Sequence, residues 1–503
     1  MSRRVRLLLP AAAVLALAGC TMAPDYQRPD TGDAVISPAW PGAAQTPPQA
    51  AKPGRPPADL VGWRDFYKDP RLQRLIERAL ANNPDYRLAV LNVARLRAEY
   101  QISESALFPS VDGTAGYDYE RTAKDLTGLG RPTVTHAYSL SLGVTSYEVD
   151  LFGRVRSLKD QALHQYLAVQ ETQQATQITL VSEVAGAWFL WLAERDLLRF
   201  NRETLATQRK SAEAIRKSRE QGVASELTLR DAEAALHDAE ASVADAERQV
   251  AQARDNLELL VGEPITPDVE TFLTQGGGLS DPKAAFLPDL PAGLPSDLLA
   301  RRPDIRSAEQ TLIAANANIG AARAAFFPSI TLTAAVGTAS DGLSGLFARG
   351  SGFWQFAPEV RLPIFDGGVN AANLKVAKID REAAVVTYRK DIQTAFRETA
   401  DALAARATYA RQLKALEQES ADARKAYDLS MLRYREGVDT LLNALTRQRT
   451  YLVAEQSAIN LRLARLQNLV TLYRVLGGGW QEGGPKAEAT ATPDPGSAAL
   501  PVN

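Results

Sequence analysis

The chain is nearly without cysteine: Cys20 stands alone among 503 residues, which excludes an intrachain disulfide. Histidine is almost as scarce. His136, His164 and His237 lie far apart in the sequence, which argues against a histidine-based metal site. Neither the phosphate loop G-x-x-x-x-G-K-[ST] nor H-E-x-x-H occurs, and no catalytic, cofactor-binding or metal-ligating constellation stands out, so the chain does not read as an enzyme. Neither sign of charge dominates. The formal net charge of -2 points away from nucleic acid. Beyond the N-terminus no run of 18 apolar residues occurs, which excludes a transmembrane helix and leaves β-strands as the only route across a bilayer. One further absence shapes the rest: the 68 residues from Val369 to Glu436 contain neither Gly nor Pro. These are the strongest helix breakers. At about 1.5 Å per residue, such a run makes a helical rod of roughly 100 Å. A helix of that size points to a function that uses length.

What is present begins with an export signal over residues 1–19. Arg3, Arg4 and Arg6 form its positive region, and Leu7 to Leu17 its short apolar core. Leu17-Ala18-Gly19-Cys20 fits a plain small-residue cleavage site and, more sharply, a bacterial lipobox, because the only cysteine follows Leu-Ala-Gly directly. Cleavage there makes Cys20 the first mature residue, carrying N-acyl and S-diacylglycerol lipid, with no other cofactor expected. Thr21 in second place favours sorting to the outer membrane. Residues 20–60, rich in Pro and Ala, read as a lipid-anchored tether.

The remainder is a tandem duplication. A short helix from Pro70 to Ala81 and another from Asp85 to about Leu107 lead into strict apolar-polar alternation. Val111, Gly113, Ala115, Tyr117 and Tyr119 form one face of a first strand; Val134, His136, Tyr138, Leu140, Leu142 and Val144 form one face of a second. This hairpin spans 110–149. Long helices follow at 154–221 and 223–261. A Pro- and Gly-rich connector occupies 263–300. The pattern then recurs. Arg302-Pro303-Asp304 answers Asn83-Pro84-Asp85 at an offset of 219, while Gly437 answers Gly222 and Gly477 answers Gly262 at 215. The first repeat is 61–262. The second, 301–476, holds hairpin 329–364 and long helices 369–436 and 438–476. The tail 477–503 reads as disordered. Concordant offsets of this kind mark duplication.

Four strands cannot close a membrane barrel, which needs at least eight. Open edges are not tolerated in lipid. Membrane strands would therefore require oligomerisation, with two copies giving eight strands and three giving twelve. The helices need lateral partners too. One apolar seam runs through Leu403, Ala407, Ala410, Leu413 and Leu416. A soluble hairpin with a coiled-coil stalk is the simpler alternative, but it leaves the duplicated hairpins unexplained.

Several segments carry a resemblance: Leu299-Ala300-Arg301-Arg302-Pro303-Asp304-Ile305, Ala308-Glu309, Ala314-Ala315-Asn316-Ala317, Ile319-Gly320, Phe327-Pro328-Ser329, the stretch Trp63 to Asp85, and Arg433-Tyr434-Arg435-Glu436-Gly437-Val438. The chain resembles the TolC-like outer-membrane efflux factors, in the lipoprotein branch that serves drug-efflux pumps. That resemblance implies a mainly α protein with a transmembrane β-barrel: a homotrimer whose 12-stranded barrel, four strands per chain, continues into a periplasmic α-helical barrel. It implies passive conduction of drugs or other small molecules from a proton-driven inner-membrane pump through a periplasmic adaptor. It places adaptor docking at the hairpin tips, Gly222, Val223, Gly437, Val438, Asp439 and Thr440. Asp422, Asp428 and Arg435, near the second tip, are candidates for a gate of charged rings, with a solvated helix face as the simpler account. Tyr117, Tyr119, Tyr138, Trp354 and Phe356 are candidates to face lipid or form an aromatic girdle, with ordinary sheet packing as the simpler account. A protein-secretion or metal-efflux duct and, from another class, a lipid-anchored structural coiled coil are the alternatives.

Overall fold

The computed structural model describes residues 21–30, 40, 58–128, 130–267 and 301–480, with a few single positions between 269 and 290. The signal segment with Cys20, most of the tether, most of the connector and the tail beyond 480 lie outside the described residues.

The expected elements form with ends shifted by a few residues. Helices α1 (Trp63–Phe66), α2 (Pro70–Asn82) and α3 (Pro84–Ser105) precede strands β1 (Asp112–Thr122) and β2 (Thr133–Glu148). Helices α4 (Arg154–Glu220) and α5 (Glu226–Val261) complete the first repeat. The second holds α6 (Pro303–Ala324), β3 (Ser329–Ser340), β4 (Gly352–Arg361), α7 (Val369–Arg435) and α8 (Leu441–Val475). No described helix is long and apolar enough to cross a membrane.

The chain divides into two compact units. One takes residues 1–30, 91–170 and 307–390; the other takes 31–90, 171–306 and 391–503. The first contains a four-stranded antiparallel sheet of order β1-β2-β3-β4. Register puts Tyr117 opposite Tyr138, Leu142 opposite Val336, and Val336 opposite Trp354. Paired residues share a face. One face therefore collects Tyr117, Tyr119, Tyr138, Leu140, Leu142, Val336, Trp354, Phe356 and Val360. The other collects Asp118, Glu120, Ser139, Ser141, Thr333 and Glu359. Both faces are open: Trp354 is 76% exposed and Phe356 60% on the apolar one, and Asp118 and Glu120 are exposed on the other. Among the described residues, β1 and β4 each have one edge without a strand partner. The alternation did not reveal a bulge between Val144 and Tyr147, where Ser146 takes a φ of 57°. The bulge shifts β2 by one residue, so that Tyr147 pairs with Leu332 and its hydroxyl donates to the carbonyl of Leu107.

The second unit has the aromatic core. Trp63, Phe66 and Tyr67 are fully buried with Leu72, Leu75, Ile76, Trp188 and Leu192. Tyr473 stacks on Phe66 at 4.1 Å and donates to the carbonyl of Val61. The duplication is visible here in individual bonds. Asn83 Nδ2 donates to the carbonyl of Leu260, and Arg302 Nη1 to that of Val475. Each ties the start of one helix to the last turn of another. The Pro-Asp motifs that reveal the repeat are thus staples between helix ends. Arg302, buried, also reaches Asp304 at 2.6 Å and Glu398 at 3.0 Å.

Along α7, burial from Ile392 onward recurs every three or four residues: Ile392, Ala395, Thr399, Ala402, Arg406, Tyr409, Leu413, Leu416, Ser420, Ala423, Tyr427, Ser430 and Tyr434 are buried or half-buried. α5 follows the same rule from Leu229 through Ala232, Leu236, Ala239, Val243 and Ala246 to Leu257. A sustained seven-residue repeat gives a left-handed supercoil. This corrects the expected seam. Leu413 and Leu416 lie on the stripe, but Ala407 and Ala410 are exposed. The stripe takes Thr399, Arg406, Ser420 and Ser430 as readily as leucine. Position in the repeat, and not apolarity, decides what packs.

Candidate functional site

The two helix reversals are built alike. Gly222 and Gly437 have φ of 76° and 74°, the left-handed region that a glycine enters without strain. Val223 N–H donates to the Ser218 carbonyl and Gly222 N–H to that of Arg219. Val438 and Gly437 make the equivalent bonds to Arg433 and Tyr434. Both turns are Schellman caps, which satisfy carbonyls left open at a helix end. The return helices start on a matching device. Ser225 Oγ accepts from Thr228 N–H at the head of α5, and Thr440 Oγ1 from Asn443 N–H at the head of α8. The second tip has one addition. Asp439 accepts from Thr440 N–H at 2.8 Å and Asn443 Nδ2 at 2.6 Å. The Asn443 bond and then the Thr440 bond hold its carboxyl below the usual range.

Each tip presents apolar side chains to solvent at equivalent positions. Val223 and Leu227 are 79% and 70% exposed; Val438 and Leu442 are 65% and 63%. Beneath them, Ala212, Ile215, Leu229, Ala232 and Leu441 form a small buried cluster with Tyr434 and Leu445 against it, which joins the two tips. A polar clamp adds to it farther along, where Gln208 Nε2 donates to Gln448 Oε1 at 2.6 Å, both buried.

Behind the tips runs a groove of about 1320 Å³. Phe200, Tyr427, Tyr451 and Leu452 give it an aromatic and apolar wall; Lys210, Glu203, Arg424, Asp428 and Arg435 give it charge. Val223 and Gly437 also line it. Burial, followed by the charge of Asp428, raises the Tyr427 hydroxyl, while Arg435 opposes both. Of the three proposed gate residues the structure brings two together: Asp428 and Arg435, both exposed, share this groove. Asp422 does not line it and instead accepts from Gln418 one turn away, at 3.3 Å. Among the described residues no group of three or more His, Cys, Asp or Glu converges as a metal site.

Residues 75–263 and 294–478 match the family model of outer membrane efflux proteins, one block for each repeat. The chain belongs to the outer membrane efflux protein family. It is similar to the toluene efflux pump outer membrane protein TtgC of Pseudomonas putida, at 43% identity over 477 residues, 95% of this chain and 96% of that one. The outer membrane protein OprJ of Pseudomonas aeruginosa is 41% identical over 469 residues, 93% of this chain and 95% of its own. Among solved structures, the open state of the Neisseria gonorrhoeae MtrE outer membrane channel superposes with a TM-score of 0.81 at 38% identity, covering 93% of this chain and all of that one.

For this efflux protein, sequence reasoning located the tip glycines and their neighbours but missed three features. Leu227 and Leu442 are marked in the sequence only by following each tip glycine by five residues. The aromatic wall of Phe200, Tyr427 and Tyr451 has no sequence signature, because its members come from three helices. The Gln208–Gln448 clamp likewise joins residues with no local mark.

Proposed function

We propose that this chain is the outer-membrane channel of a tripartite efflux system. It conducts drugs or other small molecules passively from a proton-driven inner-membrane pump and a periplasmic adaptor to the exterior. The observation that carries the reading is the sheet, with one apolar face, one polar face, and an unpaired edge on either side. Unpaired backbone groups in hydrocarbon cost several kcal/mol each, on the order of 2–7 per group, so such a sheet enters lipid only as part of a closed barrel. Three copies close it with twelve strands. The apolar face meets lipid and the polar face lines water. The paired tips, with Val223, Leu227, Val438 and Leu442 exposed, receive the adaptor. Asp428 and Arg435, repeated threefold, ring the narrow end. Acyl chains on Cys20 hold the mature N-terminus in the outer membrane.

The test uses a benzophenone amino acid at Leu442 in cells that also express the adaptor. A channel–adaptor adduct is expected there and none from the same probe at Trp354. The purified protein should give single-channel currents in a planar bilayer. No adduct at Leu442 would overturn docking, and the absence of current from intact trimer would overturn conduction.

A further inference from the structure

The motif residues of α6 that help to identify the family have no part in the tip or the sheet. Their partners lie elsewhere, in the first ten described residues. Glu309, Asn316 and Arg323 are seven apart, two helical turns each, and so share one face of α6. Residues 21–30 run along that face without helix or strand structure of their own. Arg323 Nη1 donates to the Met22 carbonyl at 3.1 Å, and Asn316 Nδ2 to that of Pro24 at 2.7 Å. Glu309, buried, accepts from Arg28 through both oxygens at 2.7 and 2.6 Å and from the Tyr26 hydroxyl at 3.1 Å. Between the last two rungs lies Gly320. A Cβ there would stand 2.7 Å from the Ala23 nitrogen and 2.5 Å from Ser157 Oγ, closer than real side chains come. The helix is hollowed where the segment crosses it.

We propose that Glu309, Asn316, Gly320 and Arg323 form a docking track that seats Thr21–Arg28 and holds the acylated end of the chain at the sheet-side end of α6. The proposal rests on acylation at Cys20. Cys20 is one peptide bond from Thr21, about 3.8 Å between Cα atoms. Arg323 is the penultimate residue of α6, and β3 begins at Ser329. The track therefore delivers the lipid to the foot of β3. An unseated tether behaves differently. A flexible chain spreads by about 5–6 Å times the square root of its length, so the residues between Thr21 and Ala58 would let the anchor wander over roughly 35 Å. The buried carboxylate of Glu309 makes the seat specific, because without Arg28 and Tyr26 it has no compensating partner in the track.

The experiment uses the full-length protein in its native outer membrane, with a benzophenone amino acid at the exposed Asp25. In the parent, light should join the probe to the tryptic peptide 307–323. Gly320→Leu and the pair Glu309→Gln with Asn316→Ala should each lower that adduct at least tenfold, with trimer yield unchanged. Exchanging the pair, Arg28→Glu with Glu309→Arg, should restore it relative to Arg28→Glu alone, now on the tryptic peptide 310–323 because Glu309→Arg adds a cleavage site. Retention of the adduct in both track variants would overturn the track, as would failure of the exchange in a protein that still forms trimers. The N-terminal peptide mass reports acylation separately. An unacylated N-terminus with a normal adduct would overturn the anchor while leaving the seat of residues 21–28 standing.

Discussion

Gly437→Ala changes a single backbone preference at the second tip. A Cβ added there meets nothing within 4 Å, so no packing term enters. What remains is the left-handed φ of 74°, which costs an L-residue about 1–2 kcal/mol. That corresponds to a fall of about 5- to 30-fold in the population of the native turn. The two capping bonds, Gly437 to Tyr434 and Val438 to Arg433, are made only in that turn. α7 has 67 residues and its buried row runs from Ile392 to Tyr434, so fraying of its final turn leaves the rest of the helix packed. Partial loss of drug export is expected from Gly437→Ala. Gly437→Asp, which adds a carboxylate two residues from Asp439, should abolish it. The control is Gly350→Ala, at φ 101° in the turn between β3 and β4 and equally free of neighbours. It carries at least as much strain away from the tip and should export normally. Drug susceptibility would be scored in a host lacking its own channel but supplied with adaptor and pump, with trimer measured on unboiled gels. Normal export by Gly437→Asp, or equal loss in Gly350→Ala, would refute the reasoning.

Two other expectations follow from the second unit. Asp428→Ala and Arg435→Ala, which face one groove, should raise single-channel conductance, whereas Asp422→Ala should leave it unchanged; no effect from either of the first two removes the gate. At the helix staple, burial pushes the Asp304 carboxyl up, but the hydrogen bonds and charge of Arg302 outweigh it and hold the group below its usual value near 3.8. A depressed folded-state pKa contributes stability above the unfolded value that is lost as pH falls through the folded one. Asp304→Asn should therefore lower the melting temperature at pH 7, for a loss of about 1 kcal/mol because the Asp304 carboxylate is 44% exposed and partly screened, and flatten the decline below about pH 4. Parallel declines in variant and parent would count against this staple.

The helices, hairpins and tip turns were legible because each rests on local physics. Breakers end helices at Gly222 and Gly437, and period-two alternation marks strands from Gly113 to Val360. The duplication supplied a second copy of every such signal, so Gly262 and Gly477 match by their offset alone. The remainder depends on meetings between distant residues. Nothing near Ser146 announces a bulge, since it reconciles β2 with a partner almost 190 residues away. The seam on α7 differs from the expected one for a related reason: leucine and alanine are common all round that helix, and only the partner helix selects the buried row. Asp428 and Arg435 look no different from Asp422 in the sequence; the groove separates them. Glu309, Asn316 and Gly320 stood out as a motif, yet their purpose lay with Tyr26 and Arg28, some 280 residues earlier.

The seven-residue burial repeat limits how this architecture can change size. α4 and α7 each have 67 residues, and α5 and α8 have 36 and 35. Adding one residue to any of them rotates every later side chain by about 100° and takes the buried row off its partner. Adding seven preserves the row and moves the tip by about 10.5 Å. The four helices end together at joined tips, so an increment in one must be matched in the other three. Channels of this design can span wider or narrower gaps only in discrete increments, made four times at once in each chain.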